Sequence, residues 1–124
     1  METLADRRRK FREQMNRREA MIVPGAGNAL TARVIADRQF EAVYVTGAGI
    51  ANTHLGTPDI GLVTLTELAA TVSTIAEICQ LPLVVDIDTG FGNAINTRRT
   101  VRLIERAGGF AMPVSYTHLR AHET

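Results

Sequence analysis

Short apolar segments alternate along the chain with longer segments in which apolar residues recur every three or four positions. The short segments lack a clear polar alternation, which is typical of strands covered on both faces of a parallel sheet. The longer segments are typical of amphipathic helices. Strands are predicted at residues 20–23, 42–45 and 83–88, and helices at residues 4–18, 28–37, 64–79 and 96–107. This order predicts an α/β fold, which could be a barrel or a doubly wound sheet.

Local signals mark the ends of these helices. Thr3 with Asp6 resembles a capping box, in which the hydroxyl and the acidic side chain bind N–H groups of the first turn. Thr64 with Glu67 repeats the pattern, and Asn28 is placed to cap the second helix. The third helix has an apolar stripe at helical spacing, formed by Leu65, Leu68, Ala69, Val72, Ile75, Ala76 and Cys79.

The last helix and the turn after the second strand complete the predicted pattern. Val101 and Ile104 are expected to point inward from the last helix, which ends before Gly108. Residues 46–49 read Thr-Gly-Ala-Gly and are expected to form a flexible turn.

Composition excludes several classes of protein. The 124 residues are 45% hydrophobic and 22% charged, and they include a single cysteine, so a disulfide framework within the chain is excluded. No apolar stretch approaches the roughly 18 to 20 residues of a membrane-spanning helix, and the arginine-rich start is not followed by the apolar core of a signal peptide. No membrane partner is expected, and the expected location is cytoplasmic.

Charge is segregated along the chain. Seven of the fourteen basic residues lie within the first twenty positions, whereas residues 39–97 contain no lysine or arginine. Acidic residues are interleaved with the basic ones at the start, which is typical of a solvated helix face. A nucleic-acid partner is therefore not expected, since such binding needs clustered cations.

Asp86 and Asp88 follow the third apolar run and precede a glycine turn. Strand alternation would place both carboxylates on one side, roughly 6 to 7 Å apart. Mg²⁺ suits such a pair, because it takes few protein carboxylates and keeps several waters. An EF-hand loop is excluded because Gly90 occupies the third ligand position and Thr97 occupies the twelfth position, where a bidentate glutamate is required. The alternative is that Asp88 only caps the following turn.

Two Gly-Ala-Gly sequences, at residues 25–27 and 47–49, raise the possibility of a dinucleotide-binding domain. The third glycine of that motif is missing from both, since Leu30 and Asn52 occupy its position. These glycines are better interpreted as sites of positive φ or of close approach to a ligand.

Four motifs in order resemble the isocitrate lyase / phosphoenolpyruvate mutase superfamily, over residues 11–108. They are Val-Pro-Gly at 23–25, Val-Tyr-Val-Thr-Gly-Ala-Gly at 43–49, Leu-Gly-Thr-Pro-Asp-Ile-Gly at 55–61 and Asp-Ile-Asp-Thr-Gly-Phe-Gly at 86–92. The resemblance is closer to the short bacterial members, such as the 2-methylisocitrate and 2,3-dimethylmalate lyases, than to the long isocitrate lyases. It implies a (β/α)8 TIM barrel, of which this chain would supply an N-terminal helix and about three βα units.

The resemblance also implies roles for particular residues. Asp86 and Asp88 match the magnesium-binding aspartates, with Mn²⁺ as a possible substitute, and Asp59 matches an aspartate beside the metal and substrate. Tyr44 matches a tyrosine near the reacting hydroxyl. Residues Thr46, Gly47 and Ala48 match the loop that holds a substrate carboxylate, where many members have Ser-Gly-Gly.

The implied activity is Mg²⁺-dependent cleavage of a carbon–carbon bond in a small hydroxy di- or tricarboxylate, in a homo-oligomeric protein. A phosphonomutase, an oxaloacetate decarboxylase and, from another class, a nucleotide-binding α/β domain remain alternatives. The family's Glu-Asp pair after the fourth strand and its Lys-x-Cys-Gly-His loop are not found in this sequence.

Residues 113–124 have no structural period and resemble a translated sequencing adapter. The sequence therefore predicts a partial barrel domain at residues 1–109 and a non-native tail at residues 110–124. Such a piece leaves sheet edges unpaired, so the chain alone is expected to be marginally stable and inactive.

Overall fold

The computed structural model describes residues 1–114, which form five helices and three strands. In chain order they are α1 (Leu4–Asn16), β1 (Gly25–Ala26), α2 (Ala29–Asp37), β2 (Val43–Val45), α3 (Gly47–Ile50), α4 (Leu65–Ile78), β3 (Leu83–Val85) and α5 (Ala94–Ala107). A π-helical turn at Ala51–Leu55 follows α3. The strand and helix order confirms the predicted α/β fold.

The strands form one parallel sheet in the order β1-β2-β3. Tyr44 of β2 lies in register with Gly25 on one side and with Val84 on the other. The sheet continues past β3, because the N–H of Val85 donates to the carbonyl of Ala111 at 2.7 Å.

Residues 110–113 therefore lie parallel to β3, although the sequence assigned them to a non-native tail. The N–H of Phe110 donates to the carbonyl of Leu83, and the N–H of Ile87 donates to the carbonyl of Pro113. Paired backbone thus extends beyond the predicted boundary at Gly109. The rest of the predicted tail, residues 115–124, lies outside the described residues.

Two strand predictions need correction. Residues 20–23 are not a strand, and Ile22 is 75% exposed. Pairing begins further on, where the N–H of Tyr44 donates to the carbonyl of Pro24 at 2.8 Å. The third strand ends at Val85, three residues before the predicted end, and Asp88 has a left-handed backbone with φ of 54°. A left-handed residue cannot continue a strand.

The helix starts follow the predicted signals. Thr3 and Thr64 form complete capping boxes with Asp6 and Glu67, and the Asn28 side chain accepts the N–H of Thr31 at 2.8 Å. These bonds use groups that helix geometry leaves without an intrahelical partner. The last helix begins at Ala94, two residues earlier than predicted, because Asn93 caps it.

The apolar faces of α2, α4 and α5 pack on the sheet. The core contains Ala32, Ile35, Val43, Val45, Leu68, Val72, Ile75, Cys79, Leu83, Val85, Ile87 and Ile104. Ile104 is buried as predicted, but Val101 is 37% exposed, so its predicted inward position is wrong. Val101 precedes Ile104 by three residues, which is slightly less than one helical turn, so Val101 lies at the margin of the buried face and Ile104 lies at its centre.

The basic helix α1 packs against the edge where the strands begin. Phe11 is buried and meets Phe110 edge to face, with ring centroids 6.2 Å apart. Arg7 and Arg8 place their guanidinium groups 5.3 and 5.6 Å from the centroid of the Phe110 ring. Arg8 also donates to the carbonyl of Gly109 at 3.3 Å. These arginines therefore hold α1 in place through cation–π and hydrogen-bond contacts.

Within residues 1–114, no helix combines the length and the apolar character that crossing a bilayer requires.

Candidate functional site

The candidate site lies at the edge where the strands end. In a parallel sheet the residues that follow each strand meet at one edge, and here they are Gly27, Thr46 and Asp86. The N–H of Thr46 donates to the carbonyl of Ala26 at 3.2 Å, and the N–H of Asp86 donates to the carbonyl of Val45 at 3.1 Å. The backbone ladder therefore brings Asp86 beside the predicted substrate loop.

Asp86 organises the turn that carries Asp88. Its Oδ1 accepts the N–H of Asp88 at 2.8 Å, which closes a local side-chain turn. The prediction that the two carboxylates extend from a continuous strand is therefore wrong, because the chain turns between them. Both aspartates are half-buried and flank Ile87, which is fully buried.

Tyr44 lies in the middle of β2 and interacts with Asp86. Burial, then the negative charge of Asp86 and a hydrogen bond to it, raise the pKa of Tyr44 to about 12. The phenol therefore keeps its proton near neutral pH. It can donate a hydrogen bond there, but it is a poor general base.

Residues 46–49 form the start of a helix, although the sequence predicted a flexible turn. The hydroxyl of Thr46 accepts the N–H of Gly49 at 3.3 Å and caps α3. Helical geometry leaves the first N–H groups, those of Gly47 and Ala48, without an intrahelical acceptor. This end of α3 is therefore ordered by Thr46 rather than by a turn of glycines.

The two Gly-Ala-Gly sequences contact each other. A Cβ on Gly27 would lie 2.6 Å from the carbonyl oxygen and 2.9 Å from the Cα of Gly49. Neither glycine has a positive φ, nor has Gly25 or Gly47. The small size of Gly27 and Gly49 therefore serves a close approach of two backbone segments, and positive φ, one of the two predicted reasons for these glycines, is wrong.

Asp59 lies in the segment that precedes α4. It is exposed in the loop between Leu55 and Thr64. In the part of the chain that the structure describes, no three His, Cys, Asp or Glu side chains come together as a possible metal-binding group. The structure thus groups Tyr44, Thr46 and Asp86 but does not join Asp59 to them, and the role of Asp59 stays a prediction.

The donor set at this edge can be compared with the needs of a metal. Carboxylates are hard oxygen ligands, and Mg²⁺ commonly uses one or two of them while water or substrate fills the other positions. A carboxylate has about four lone-pair sites, so Asp86 can accept the Asp88 N–H and still bind a cation. The two aspartates therefore fit a hydrated divalent ion.

Two features of this edge were not predicted from the sequence. One is the contact between Gly27 and Gly49, and the other is Thr100, a fully buried threonine of α5 that binds the loop after β3. A signal for Thr100 was present, since it lies one turn before the buried Ile104 on an otherwise arginine-rich helix.

Comparison with known proteins identifies close relatives. The family model of phosphoenolpyruvate phosphomutase matches residues 11–115. The chain is 48% identical to a 2,3-dimethylmalate lyase of Eubacterium barkeri, over 80% of this chain and 34% of the relative. It is 45% identical to a 2-methylisocitrate lyase of Aeropyrum pernix, over 84% and 33%. The chain thus spans about a third of the length of the curated relatives it matches.

Solved structures agree with these relatives. A crystal structure of 2,3-dimethylmalate lyase, described as a member of the PEP mutase/isocitrate lyase superfamily, has a TM-score of 0.77 and 34% identity, over 85% of this chain and 38% of that one. A phosphonopyruvate hydrolase in complex with oxalate and Mg²⁺ has a TM-score of 0.80 and 26% identity, over 86% and 37%. The predicted barrel architecture is confirmed at the level of these partial matches.

Proposed function

Since this chain belongs to the phosphoenolpyruvate phosphomutase family, we propose that it supplies part of the active site of a Mg²⁺-dependent carbon–carbon lyase. The substrate would be a small hydroxy di- or tricarboxylate resembling 2-methylisocitrate. The observation that carries the proposal is the position of Asp86, which directly follows β3 and lies beside Tyr44 and the Thr46 segment. The names of the relatives, 2,3-dimethylmalate lyase and 2-methylisocitrate lyase, support this substrate class.

Asp86 and Asp88 would hold the metal. When bound, Mg²⁺, or Mn²⁺ in its place, would polarise the substrate oxygens and stabilise the negative charge that develops as the bond breaks. The structural neighbour that contains Mg²⁺ and oxalate supports a metal in this family. The hydrogen bond from the Asp88 N–H to Asp86 would orient the first carboxylate for that task.

Tyr44 and the start of α3 would bind the substrate. The raised pKa of Tyr44 keeps its phenol protonated, so it would donate a hydrogen bond to the reacting hydroxyl or its oxyanion. The N–H groups of Gly47 and Ala48, with the Thr46 hydroxyl, would hold a substrate carboxylate. Asp59 would lie beside the metal and the substrate, as in the family motif that it matches.

Two other activities remain alternatives to the lyase within the family, a phosphonomutase and an oxaloacetate decarboxylase. The nucleotide-binding alternative was based on the two Gly-Ala-Gly sequences. It loses that support because Gly27 and Gly49 pack on each other. The proposal also includes that the whole enzyme would be a homo-oligomer in the cytoplasm.

A chimera tests the proposal. Residues 11–113 would replace the matching third of the Eubacterium barkeri 2,3-dimethylmalate lyase, which supplies the remaining strands. We expect Mg²⁺-dependent cleavage of 2,3-dimethylmalate, and we expect Asp86→Asn to lower kcat/KM at least about 100-fold.

Asp37→Asn is the matched control, since Asp37 is exposed at the end of α2, at the opposite edge of the sheet. It should leave kcat/KM unchanged. A folded chimera that cleaves its substrate with EDTA present, or that tolerates Asp86→Asn, would rule out the proposed metal site.

A further inference from the structure

The loop between β3 and α5 has an unusual backbone. Four of the five residues from Asp88 to Gly92 have positive φ, and two of them, Asp88 at 54° and Phe91 at 61°, are not glycine. Such residues cost free energy in the left-handed region and keep that conformation only when their surroundings impose it. Something outside the loop must therefore hold it.

Thr100 of α5 is placed to hold this loop. Its side chain is fully buried, and its hydroxyl lies 2.9 Å from the carbonyl oxygen of Gly90 and 3.0 Å from that of Asn96. The contact with Asn96 is local to the helix, whereas the contact with Gly90 joins the helix to the loop. A threonine has one hydroxyl proton, so both carbonyls share a single donor.

The helix also fits closely against the loop glycines. A Cβ on Gly90 would lie 3.0 Å from the Cγ2 of Thr97, and a Cβ on Gly92 would lie 2.6 Å from the Oδ1 of Asn96. The first two turns of α5 thus form the surface on which the loop rests. Side-chain contact limits where the loop can lie, and the Thr100 hydroxyl adds a directional bond.

We propose that Thr100 is a positioning residue for metal binding. By holding the Gly90 carbonyl, it fixes the turn in which Asp88 lies two residues earlier, and so sets the position of the Asp88 carboxylate relative to Asp86. The metal readout rests on the proposed function, whereas the loop readout does not. Removal of supporting hydrogen bonds around metal ligands typically lowers metal affinity about 10- to 100-fold.

The test uses the full 124-residue chain and the variant Thr100→Val, which keeps the shape but removes the donor. Mn²⁺ affinity is measured by electron paramagnetic resonance, and amide hydrogen exchange is measured at Gly90, whose N–H donates to the carbonyl of Ile87 at 2.8 Å. We expect Mn²⁺ affinity to fall about 10- to 100-fold and Gly90 exchange to accelerate roughly 10-fold or more. Exchange at Val72, in the core of α4, should stay unchanged.

Two variants separate positioning from general stability. Thr100→Ser keeps the hydroxyl and should restore both readouts to within about 3-fold of the wild type. Thr71→Val on α4 removes only a local bond to the carbonyl of Glu67, which matches the Thr100 bond to Asn96, and should change neither readout. If Thr100→Val lacks the wild-type circular dichroism, Thr100→Ala takes its place with the same expectations.

Unchanged Gly90 exchange in the Thr100 variant, or equal acceleration in Thr71→Val, would overturn the inference. Normal Mn²⁺ affinity despite faster Gly90 exchange would also overturn it, because the loop would then move without effect on the metal. Should the wild-type chain bind no Mn²⁺, the claim that Asp86 and Asp88 hold the metal without the rest of the barrel fails, and hydrogen exchange alone still decides whether Thr100 holds the loop.

Discussion

The contact between Gly27 and Gly49 gives the most direct test of how this edge is built. Gly27→Ala adds one methyl group between β1 and α2, at a position whose φ alanine can adopt. The new Cβ would lie 2.6 Å from the carbonyl oxygen of Gly49, about 0.8 Å inside the 3.4 Å at which ordinary contact begins. The new Cβ is fixed in position by its own backbone and meets backbone atoms of Gly49, so no side-chain rotation can relieve the clash.

The expected loss follows from that geometry. Overpacking by single methyl groups typically costs 1 to 3 kcal/mol, and a clash between backbones belongs in the upper part of that range. For an m-value of about 1.5 kcal/mol per M of urea, a loss of about 2 kcal/mol lowers the unfolding midpoint by about 1.3 M. We also expect α3 to shift, which would move the N–H groups of Gly47 and Ala48.

Urea unfolding followed by circular dichroism measures this loss. Gly25→Ala is the matched control, because its Cβ would meet the Thr46 Cγ2 at 3.5 Å and the Tyr44 carbonyl oxygen at 3.9 Å, which are both ordinary contacts. It should change the free energy of unfolding by less than about 0.5 kcal/mol. Equal midpoints for Gly27→Ala and the wild type would refute the claim that the two segments are in fixed contact.

Three further predictions concern the core, the phenol and α1. Ile104→Ala should lower the free energy of unfolding by about 2 to 5 kcal/mol in urea unfolding, because Ile104 is fully buried; a loss below about 1 kcal/mol would place this residue outside the core. Because the pKa of Tyr44 is raised from 10.0 to about 12 on folding, the stability that this phenol contributes is complete below pH 10 and is lost as pH rises toward 12. Tyr44→Phe should therefore flatten the fall in the free energy of unfolding between pH 10 and 12, measured with EDTA present. An unchanged slope would contradict the raised pKa of Tyr44. Phe11→Ala removes the ring that packs on Phe110, so trypsin should cut the arginine-rich α1 faster than in the wild type, whereas Met15→Ala, at an exposed position, should leave the rate unchanged.

Features set by neighbouring residues could be predicted from the sequence. The capping residues Thr3, Asn28 and Thr64 each bind the backbone N–H three positions further on, so a short sequence pattern contains all the partners. The buried stripe of α4 follows from helical periodicity for the same reason. The alternation of these helices with apolar segments was enough to predict the α/β class.

Features set by distant residues could not be predicted in this way. Residues 20–23 are as apolar as a strand, but β1 begins at Gly25 because the ladder with Tyr44 starts at Pro24. Residues 46–49 contain two glycines, which favours a turn by composition, yet the Thr46 cap and the packing on Gly27 make them helical.

The candidate site shows the same division. The residue types at 86 and 88 indicated a cation from chemistry alone, but the geometry between them depends on a turn that the strand pattern did not predict. Thr100 lies twelve residues after Asp88, and only the fold brings its hydroxyl to the Gly90 carbonyl.

Because Cys79 is buried, the reactivity of its thiol can report opening motions of the protein. Cys79 is the only cysteine in the sequence and is 3% exposed, at the end of α4. A thiol-specific reagent reaches its sulfur only when that end of α4 separates from the sheet, so the labelling rate measures the population of open molecules. Any compound that binds the closed form will slow the labelling, and candidate ligands can therefore be ranked without an introduced fluorophore or a catalytic assay.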